Sequence, residues 1–190
     1  MGDLCTRPED GRSQGMSIRI RQLHEVTEEQ ISGLAEVLVD CVEGGASVSF
    51  MFPFSHDDAS RFWSKVAEDV ASGARALLVA EDEQGAIVGT VQLVLALPPN
   101  QPHRADVAKL LVHRSARGRR VASQLMQALE QTALELKRHL LVLDTVTGGI
   151  AEHLYEQLGW VRVGVVPDFA LFPQGGYCGT TFFYKALASR

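Results

Sequence analysis

The 190-residue chain has little of what would assign it to several common protein classes. Its three cysteines, Cys5, Cys41 and Cys178, are too far apart to predict a disulfide framework or a cysteine zinc site. Its six histidines are scattered, and no metal is predicted. No apolar run is long enough to span a bilayer, and no signal-peptide pattern opens the chain. These absences favour a protein of the reducing cytoplasm without a membrane partner.

An excess of positive charge is also missing. The formal net charge is −5, from 18 Lys and Arg against 23 Asp and Glu, which argues against nucleic acid as a partner. One local exception is a cluster of basic residues around the start of an apolar stripe: Lys109, Arg114, Arg117, Arg119 and Arg120. Such a cluster is often only a solvated surface, but it can also bind a small anionic ligand.

The pattern that is present is typical of one globular domain. Hydrophobic residues make up 46% of the chain and charged residues 22%, and the length suits a single core. Residues 1–15, MGDLCTRPEDGRSQG, are polar and without periodicity, so we predict a flexible tail followed by one domain at 16–190.

Hydrophobic periodicity predicts the order of helices and strands. Strands are predicted at 17–23, in a hairpin over 75–97, and at 104–113, 139–145, 160–166 and 180–187. Helices are predicted after a capping box at 27–30, at 57–71, from about 120 to 138, and at 150–159. This order predicts an α+β fold with a mixed, mostly antiparallel sheet and one strand–helix–strand crossover.

The crossover places the basic cluster where a strand leads into a long helix. A helix N-terminus offers unpaired N–H groups and the positive end of the helix dipole, so it can hold a phosphate. Arg117, Arg119 and Arg120 add charged donors there, and Gly118 permits close backbone approach. Neither the Walker loop nor the dinucleotide glycine motif is present. On these residues alone, a solvated turn remains an equal interpretation.

Two motifs resemble the GNAT N-acetyltransferase superfamily. LLVHRSARGRRVASQLM resembles its acyl-CoA pyrophosphate loop, whose signature is Arg/Gln-x-x-Gly/Ala-x-Gly/Ala; here Arg120 stands where glycine is usual. LYEQLGW (154–160) resembles its Leu-Tyr-Glu-x-x-Gly-Phe block, with Trp160 for phenylalanine. The resemblance spans residues 17–187. It implies the α/β/α-layered GNAT acyl-CoA N-acyltransferase fold and acetyl-CoA as cosubstrate.

The resemblance also implies where acetyl-CoA binds. Backbone N–H groups at a splay in the fourth strand are expected to stabilise the developing oxyanion, and the loop after it to hold the pyrophosphate. The expected cosubstrate-binding residues are Leu110, Leu111, Val112, Arg117, Gly118, Arg119, Arg120, Val121, Ala122 and Ser123.

Three residues are candidates for acid–base catalysis. Tyr155 is a phenol that stays protonated at neutral pH, so it could protonate the leaving thiolate, or it could simply pack in the core. Asp106 and Asp144 are candidates for accepting the amine's proton, directly or through water. Asp144 closes the apolar run LLVL, where desolvation would strengthen a base. Either aspartate could instead cap a strand end.

The segment GGASVSFMFPF (44–54) combines glycines with an apolar cluster, which suits a lid over the acceptor or plain core packing equally. Phe50, Met51 and the preceding Glu43 are candidate acceptor-site residues, although Glu43 also suits a solvated helix end. FPQGGYCGT (172–180) is predicted to be a flexible loop over the same cleft.

A closer resemblance is to the tabtoxin resistance protein branch, which acetylates a small, toxic amino-acid antibiotic. GGASVSFM, RADVAKLLVHRSARGRR and LVLDT carry it, together with Gly148 in place of the usual asparagine. It implies direct attack by a small-molecule amine in a ternary complex, and a role in antibiotic resistance. The alternatives are a protein or peptide N-acetyltransferase and a non-catalytic acyl-CoA-sensing domain. The family also allows a homodimer through edge strands or C-terminal segments.

Overall fold

A computed structural model of the chain describes residues 17–187; the predicted tail at 1–15 lies outside the described residues. The strands within this range are β1 (Arg19–Leu23), β2 (Arg75–Glu81), β3 (Ile87–Val94), β4 (Arg104–Val112), β5 (Leu140–Val146), β6 (Val161–Leu171) and β7 (Tyr177–Ala186). The α-helices are α1 (Glu28–Glu43), α2 (His56–Ala71), α3 (Val121–Glu135) and α4 (Ile150–Gln157), and a 3₁₀ turn spans Arg114–Ala116.

The strands form one sheet in the order β1-β2-β3-β4-β5-β7-β6. β4 and β5 are parallel and are joined through α3, whereas the other neighbouring strands are antiparallel. The predicted mixed, mostly antiparallel sheet with one crossover is therefore confirmed.

Helices cover both faces of this sheet. On one face, α1 and α2 enclose a core that includes Leu38, Trp63 and Leu77. On the other, α3 and α4 enclose a core that includes Leu125 and Phe183. Because each helix carries an apolar stripe that must be buried against the sheet, the result is the expected α/β/α layering.

Local signals fix the starts of α1 and α2. Thr27 caps α1 in the predicted capping box with Gln30, and Ser55 caps α2 in a second box with Asp58. The second box starts α2 at His56, one residue earlier than predicted. Among the described residues, none of the helices combines the length and the apolarity that a membrane crossing requires.

The closing hairpin is longer than predicted. β6 continues past Pro167 to Leu171, and β7 begins at Tyr177, so only a short turn remains of the loop expected at 172–180. The proline indicates a strand end in sequence, but β6 is an edge strand, where a missing N–H disturbs no ladder. An irregularity between Val166 and Ala170 absorbs the change of register.

β5 is buried on one face only, although its run of apolar residues is continuous. Leu141 and Leu143 are buried in the α3/α4-side core, whereas Val142 is only half-buried and Asp144 is exposed. The reason is that α1 and α2 pack over β2 to β4 and leave the other face of β5 uncovered.

Two irregularities in β4 shape the centre of the sheet. β4 pairs with β5 only through Arg104–Asp106 and Leu140–Val142, after which the two strands diverge. Further along, Lys109 takes a positive φ of 52°, and the register of β4 against β3 shifts beside it. Both irregularities are consistent with the splay that the family resemblance implies.

Candidate active site

A cavity of about 980 Å³ lies where β4 and β5 diverge. Its walls come from the segment 44–51, the second half of β4 (107–112), β5 and α4 (144–155), and the β6–β7 hairpin (169–172 and 178–180). A cavity of this size that draws on so many elements is the usual form of a small-molecule site.

The bulge in β4 determines which backbone groups face the cavity. On β3, Thr90 pairs with Leu111 and Gln92 with Ala108, so one residue of β3 stands opposite both Lys109 and Leu110. An extra residue of this kind bends the strand and interrupts its ladder. The predicted residues Leu110, Leu111 and Val112 all line the cavity.

The turn from β4 into α3 has the backbone of an anion site. Gly118 and Arg120 have positive φ angles of 77° and 60°, and no side chain caps the start of α3 at Val121. Such alternation around a helix N-terminus gathers N–H groups into a concave surface that suits an anion. Arg120 thus adopts the left-handed conformation that glycine favours, at the position where glycine is usual in the family signature.

The predicted loop residues do not all face the cavity. Arg117 and Ala122 line it, whereas Val121 is buried in the α3/α4-side core. Arg117 donates from Nε to the Val112 carbonyl over 3.3 Å and lies beside Cys41. Burial raises the pKa of the Cys41 thiol, and the Arg117 charge opposes that increase. The remaining loop residues lie outside the lining and are exposed or half-buried: Gly118, Arg119, Arg120 and Ser123.

Arg114 is held away from the cavity by α1. Its backbone N–H donates to the buried Asp40 carboxylate over 2.9 Å, and its guanidinium forms an ion pair with the same group. Glu43 lies 3.5 Å from Arg114 and is not among the cavity-lining residues. The structure therefore places Glu43 at an exposed helix end, the second interpretation offered above.

Tyr155 is both a core residue and a cavity residue. Its ring packs 5.9 Å from that of Trp160 and 5.8 Å from that of Phe183, yet the residue lines the cavity. Burial, with a smaller contribution from the charge of Asp144, raises the pKa of the Tyr155 hydroxyl above its ordinary value. The hydroxyl therefore stays protonated at neutral pH and can donate a proton.

The two candidate aspartates have different surroundings. Asp144 lines the cavity and accepts a 2.7 Å hydrogen bond from the Thr180 hydroxyl. It is exposed, so the expected desolvation is wrong, because β5 is open on this face. Asp106 lies in the stretch of β4 that still pairs with β5, forms an ion pair with Arg104, and is not among the cavity-lining residues.

Two chain segments meet over the cavity. Ser47 donates from its hydroxyl to the Leu171 carbonyl over 2.8 Å, and the Phe52 N–H donates to the Pro173 carbonyl over 2.9 Å. Phe50 and Met51 line the cavity, and the ring of Phe50 also packs on aromatic neighbours. The segment 44–54 is therefore a cavity wall that is anchored by core packing, and its function as a lid over the acceptor stays a prediction.

The model of the acetyltransferase (GNAT) family matches residues 38–160. The chain belongs to this family. The predicted GNAT fold and the predicted enzyme class, an acyltransferase, are therefore confirmed, whereas the tabtoxin resistance branch remains a prediction.

Solved structures of other acetyltransferases have the same fold. An N-acetyltransferase from Staphylococcus aureus Mu50 is 19% identical, with a TM-score of 0.73 over 90% of this chain and 99% of that one. Ribosomal-protein-alanine N-acetyltransferase from Brucella melitensis is 23% identical, with a TM-score of 0.72 over 89% and 99%. A GNAT phosphinothricin acetyltransferase from Sinorhizobium meliloti, in complex with AcCoA, is 16% identical, with a TM-score of 0.72 over 92% and 90%.

Some residues of this GNAT site escaped sequence analysis. Lys109 lines the cavity and donates from Nζ to the Ser49 hydroxyl over 3.0 Å, but in sequence it is only one member of a basic cluster. Thr180, at the predicted start of the last strand, and Asp40, inside an amphipathic helix, carry no motif. Within 17–187 no group of three or more His, Cys, Asp or Glu side chains is placed to hold a metal.

Proposed function

We propose that this GNAT protein transfers an acetyl group from acetyl-CoA to a primary amine of a small molecule, with both substrates bound at once. The observation that carries the proposal is the convergence on one cavity of the β4 bulge, Arg117 near the start of α3, Tyr155 and Asp144. Among proteins of this fold, the phosphinothricin acetyltransferase from Sinorhizobium meliloti was solved in complex with AcCoA.

The residues around α3 fit the anionic part of acetyl-CoA. The uncapped N-terminus of α3 has no side-chain oxygen of its own to satisfy it, and Arg117, Arg119 and Arg120 surround it with positive charge. The backbone N–H groups of Leu110–Val112 are the candidates for polarising the thioester carbonyl, since the splay leaves this part of β4 unpaired on the β5 side. When bound, acetyl-CoA supplies an activated acetyl group.

Two side chains would handle the protons of the transfer. Asp144 accepts a proton from the ammonium of the acceptor, directly or through water, and so leaves the free amine that attacks, while Thr180 holds the carboxylate in place. The free amine adds to the thioester carbon, and the intermediate collapses as the carbon–sulfur bond breaks. Tyr155 delivers a proton to the departing sulfur and is reprotonated, through water, by the second proton that the new amide nitrogen loses. Asp106 is less suited to the role of base, because its carboxylate is engaged by Arg104 away from the cavity.

The walls of the cavity favour a small acceptor over a protein or peptide. The segment 44–51 and the β6–β7 hairpin touch above it, and side chains such as Met51 and Phe169 make much of its lining apolar. A protein N-acetyltransferase would instead need an open groove for an extended chain. The presence of both Tyr155 and Asp144 in the cavity also argues against a non-catalytic acyl-CoA sensor. An amino-acid antibiotic, as in the tabtoxin resistance branch, is one acceptor within this proposal.

Thermal unfolding with and without acetyl-CoA tests the cosubstrate. A ligand that binds only the native state raises the melting temperature. Replacing Arg117 and Arg120 with alanine should shrink that increase and raise the KM for acetyl-CoA, whereas the same change at Arg19 and Arg162, which lie in the two edge strands β1 and β6, should not. Equal changes of melting temperature and KM in the two double variants would favour the interpretation of the basic loop as a solvated turn.

A thiol-release assay over small amines, amino acids and N-terminal peptides tests the acceptor. We expect turnover with a subset of the small amines. Turnover with peptides alone would favour the protein acetyltransferase, and no turnover despite acetyl-CoA binding would favour the sensor domain.

A further inference from the structure

Lys109 is a partly buried cation on the wall of the cavity. Its Nζ donates to the Ser49 hydroxyl over 3.0 Å and lies 5.6 Å and 5.8 Å from the ring centroids of Phe50 and Phe62. Among residues 17–187, no carboxylate oxygen lies within 4.0 Å of this ammonium. An ammonium has three N–H donors, so the contact with Ser49 accounts for one of them.

This arrangement is costly for the free protein. A partly desolvated charge with no carboxylate in contact is destabilising, and two aromatic faces compensate only in part. Burial is the main reason that the pKa of Lys109 is lowered, the charge of Arg75 lowers it further, and Asp144 acts in the opposite direction. An anion brought into the cavity would therefore find an ammonium that is already desolvated and held in place.

The backbone at Lys109 adds to that cost. Its φ of 52° lies in the left-handed region, which a lysine adopts rarely and at an energetic cost. Glycine would form the same bulge without strain. The bulge alone therefore does not explain why the residue is a lysine. A requirement for an ammonium inside the cavity does explain it.

Asp144 provides the opposite charge in the same cavity. It stands on β5, across the splay from Lys109 on β4, and both residues line the cavity. Asp144 is the group that would receive the ammonium of the acceptor, and Lys109 repels any second positive charge. The pair is complementary to a molecule with one positive and one negative group.

We propose that Lys109 binds an anionic group of the acceptor, and that the acceptor is a zwitterion of the amino-acid type, with an oxyanion close to the amine that is acetylated. This inference rests on the proposed function, because it assigns the amine to Asp144. Polyamines and amines without an acidic group are poor acceptors, since they leave Lys109 unpaired.

Three matched acceptors test the proposal: an amino acid that the acceptor assay identifies, its amide, and the amine that remains when its carboxylate is removed. We expect kcat/KM for the amino acid to exceed that for the other two by about 10–100-fold, the range of a hydrogen bond to a charged group. Equal values for the three compounds, or an assay in which only amines without an anionic group react, would overturn it.

Two substitutions separate recognition from structure. Lys109→Gln keeps a donor for Ser49 and removes the charge, so activity should fall by about 10–100-fold on the amino acid alone and stay level on the decarboxylated amine. Lys109→Arg should restore the preference. Lys137→Gln, which removes an exposed charge elsewhere, is the control. Equal losses on all three acceptors would make Lys109 a structural anchor and overturn the proposal.

Calorimetric titration of a panel of amino acids, each beside the amine that lacks its carboxylate, gives a readout that does not depend on turnover. Wild-type protein should bind at least one of these amino acids more tightly than the Lys109→Gln variant does, and the two proteins should bind the matching decarboxylated amine equally. If the protein acetylates nothing yet this difference persists, the proposed function fails and the anion site stands. If wild-type protein and the Lys109→Gln variant bind the amino acids equally, the anion site is contradicted, whether or not the protein acetylates them.

Discussion

Asp144 on β5 and Thr180 on β7 are joined across the sheet by a 2.7 Å hydrogen bond from the hydroxyl to the carboxylate. The same hydroxyl lies 3.0 Å from the carbonyl of Thr145, so Thr180 is itself fixed by the strand it contacts. The bond holds Asp144 at the wall of the cavity, beside the widening gap between β4 and β5. It distinguishes this aspartate from Asp106, whose partner is an arginine.

Replacing Asp144 with asparagine should therefore remove the base while keeping the shape of the side chain. We expect kcat to fall by about 10²–10⁴-fold near neutral pH and the acidic limb of the pH–rate profile to flatten. At high pH the deficit should shrink, because more of the acceptor is already free amine. Asp106→Asn is the matched control and should leave the profile unchanged. A flattened limb in the Asp106 variant alone would reverse the assignment.

Replacing Tyr155 with phenylalanine should remove the acid and keep the packing on Trp160 and Phe183. We expect kcat to fall by about 10²–10⁴-fold with acetyl-CoA affinity nearly intact. Because the pKa of the hydroxyl is raised, it stays protonated at pH 9, and the loss should be the same there as at pH 7. Tyr184→Phe, on a tyrosine outside the cavity lining, is the control. Full kcat in the Tyr155 variant would assign the proton to water or leave the thiolate unprotonated.

Replacing Arg120 with glycine should have opposite effects on stability and on binding. The left-handed backbone costs arginine about 1–2 kcal/mol, whereas glycine adopts it freely but loses about 0.5–1 kcal/mol in chain entropy. We expect the free energy of unfolding to rise by up to about 1 kcal/mol, with a higher KM for acetyl-CoA because one positive charge is lost. Arg119→Gly removes the same charge at a position without positive φ, so it should raise the KM in the same direction but lower the free energy of unfolding. Chemical denaturation measures the free energy of unfolding of the two variants, and steady-state kinetics measures the KM. A less stable Arg120 variant would contradict the strain argument.

Replacing Gly45 with alanine should disturb the segment over the cavity. Gly45 has a φ of 85°, which disfavours any side chain, whereas Gly44 has an ordinary φ of −72°. We expect Gly45→Ala to raise the KM for the acceptor several-fold and that for acetyl-CoA little, since the segment forms the acceptor side of the cavity. Gly44→Ala is the neighbouring control. Equal increases in both KM values, together with a lower melting temperature, would make the segment part of the core.

The parts of the fold that sequence predicted are those set by local chemistry. The capping box at Thr27 and the apolar stripe of α3 fix their helices wherever the chain later packs. Residues 160–166 carry the strand pattern of β6, but its full length depends on its place at the sheet edge, where Pro167 is tolerated. That place is a property of the whole sheet and is not visible in one segment.

The candidate site was predicted in the same uneven way. The two motifs led to Arg117 and Tyr155, because each motif is a continuous stretch of the chain and can be recognised without the fold. Sequence could not show that Asp144 lines the cavity and Asp106 does not, since this difference depends on where two strands stop pairing. It also missed the position of Lys109 on the cavity wall, because this position depends on one extra residue in β4.

The short ladder between β4 and β5 has a consequence for local unfolding. Only Arg104–Asp106 and Leu140–Val142 pair across this seam, so β1–β4 and β5–β7 can loosen from each other at less cost than either loses its own pairing. Amide hydrogens of β5 near the seam should therefore exchange with deuterium sooner than those in the centre of β2 and β3. A substrate that contacts both β4 and β5 would add interactions across the gap between them. Slower amide exchange in both β4 and β5 on addition of substrate would then show that binding holds the two parts of the sheet together.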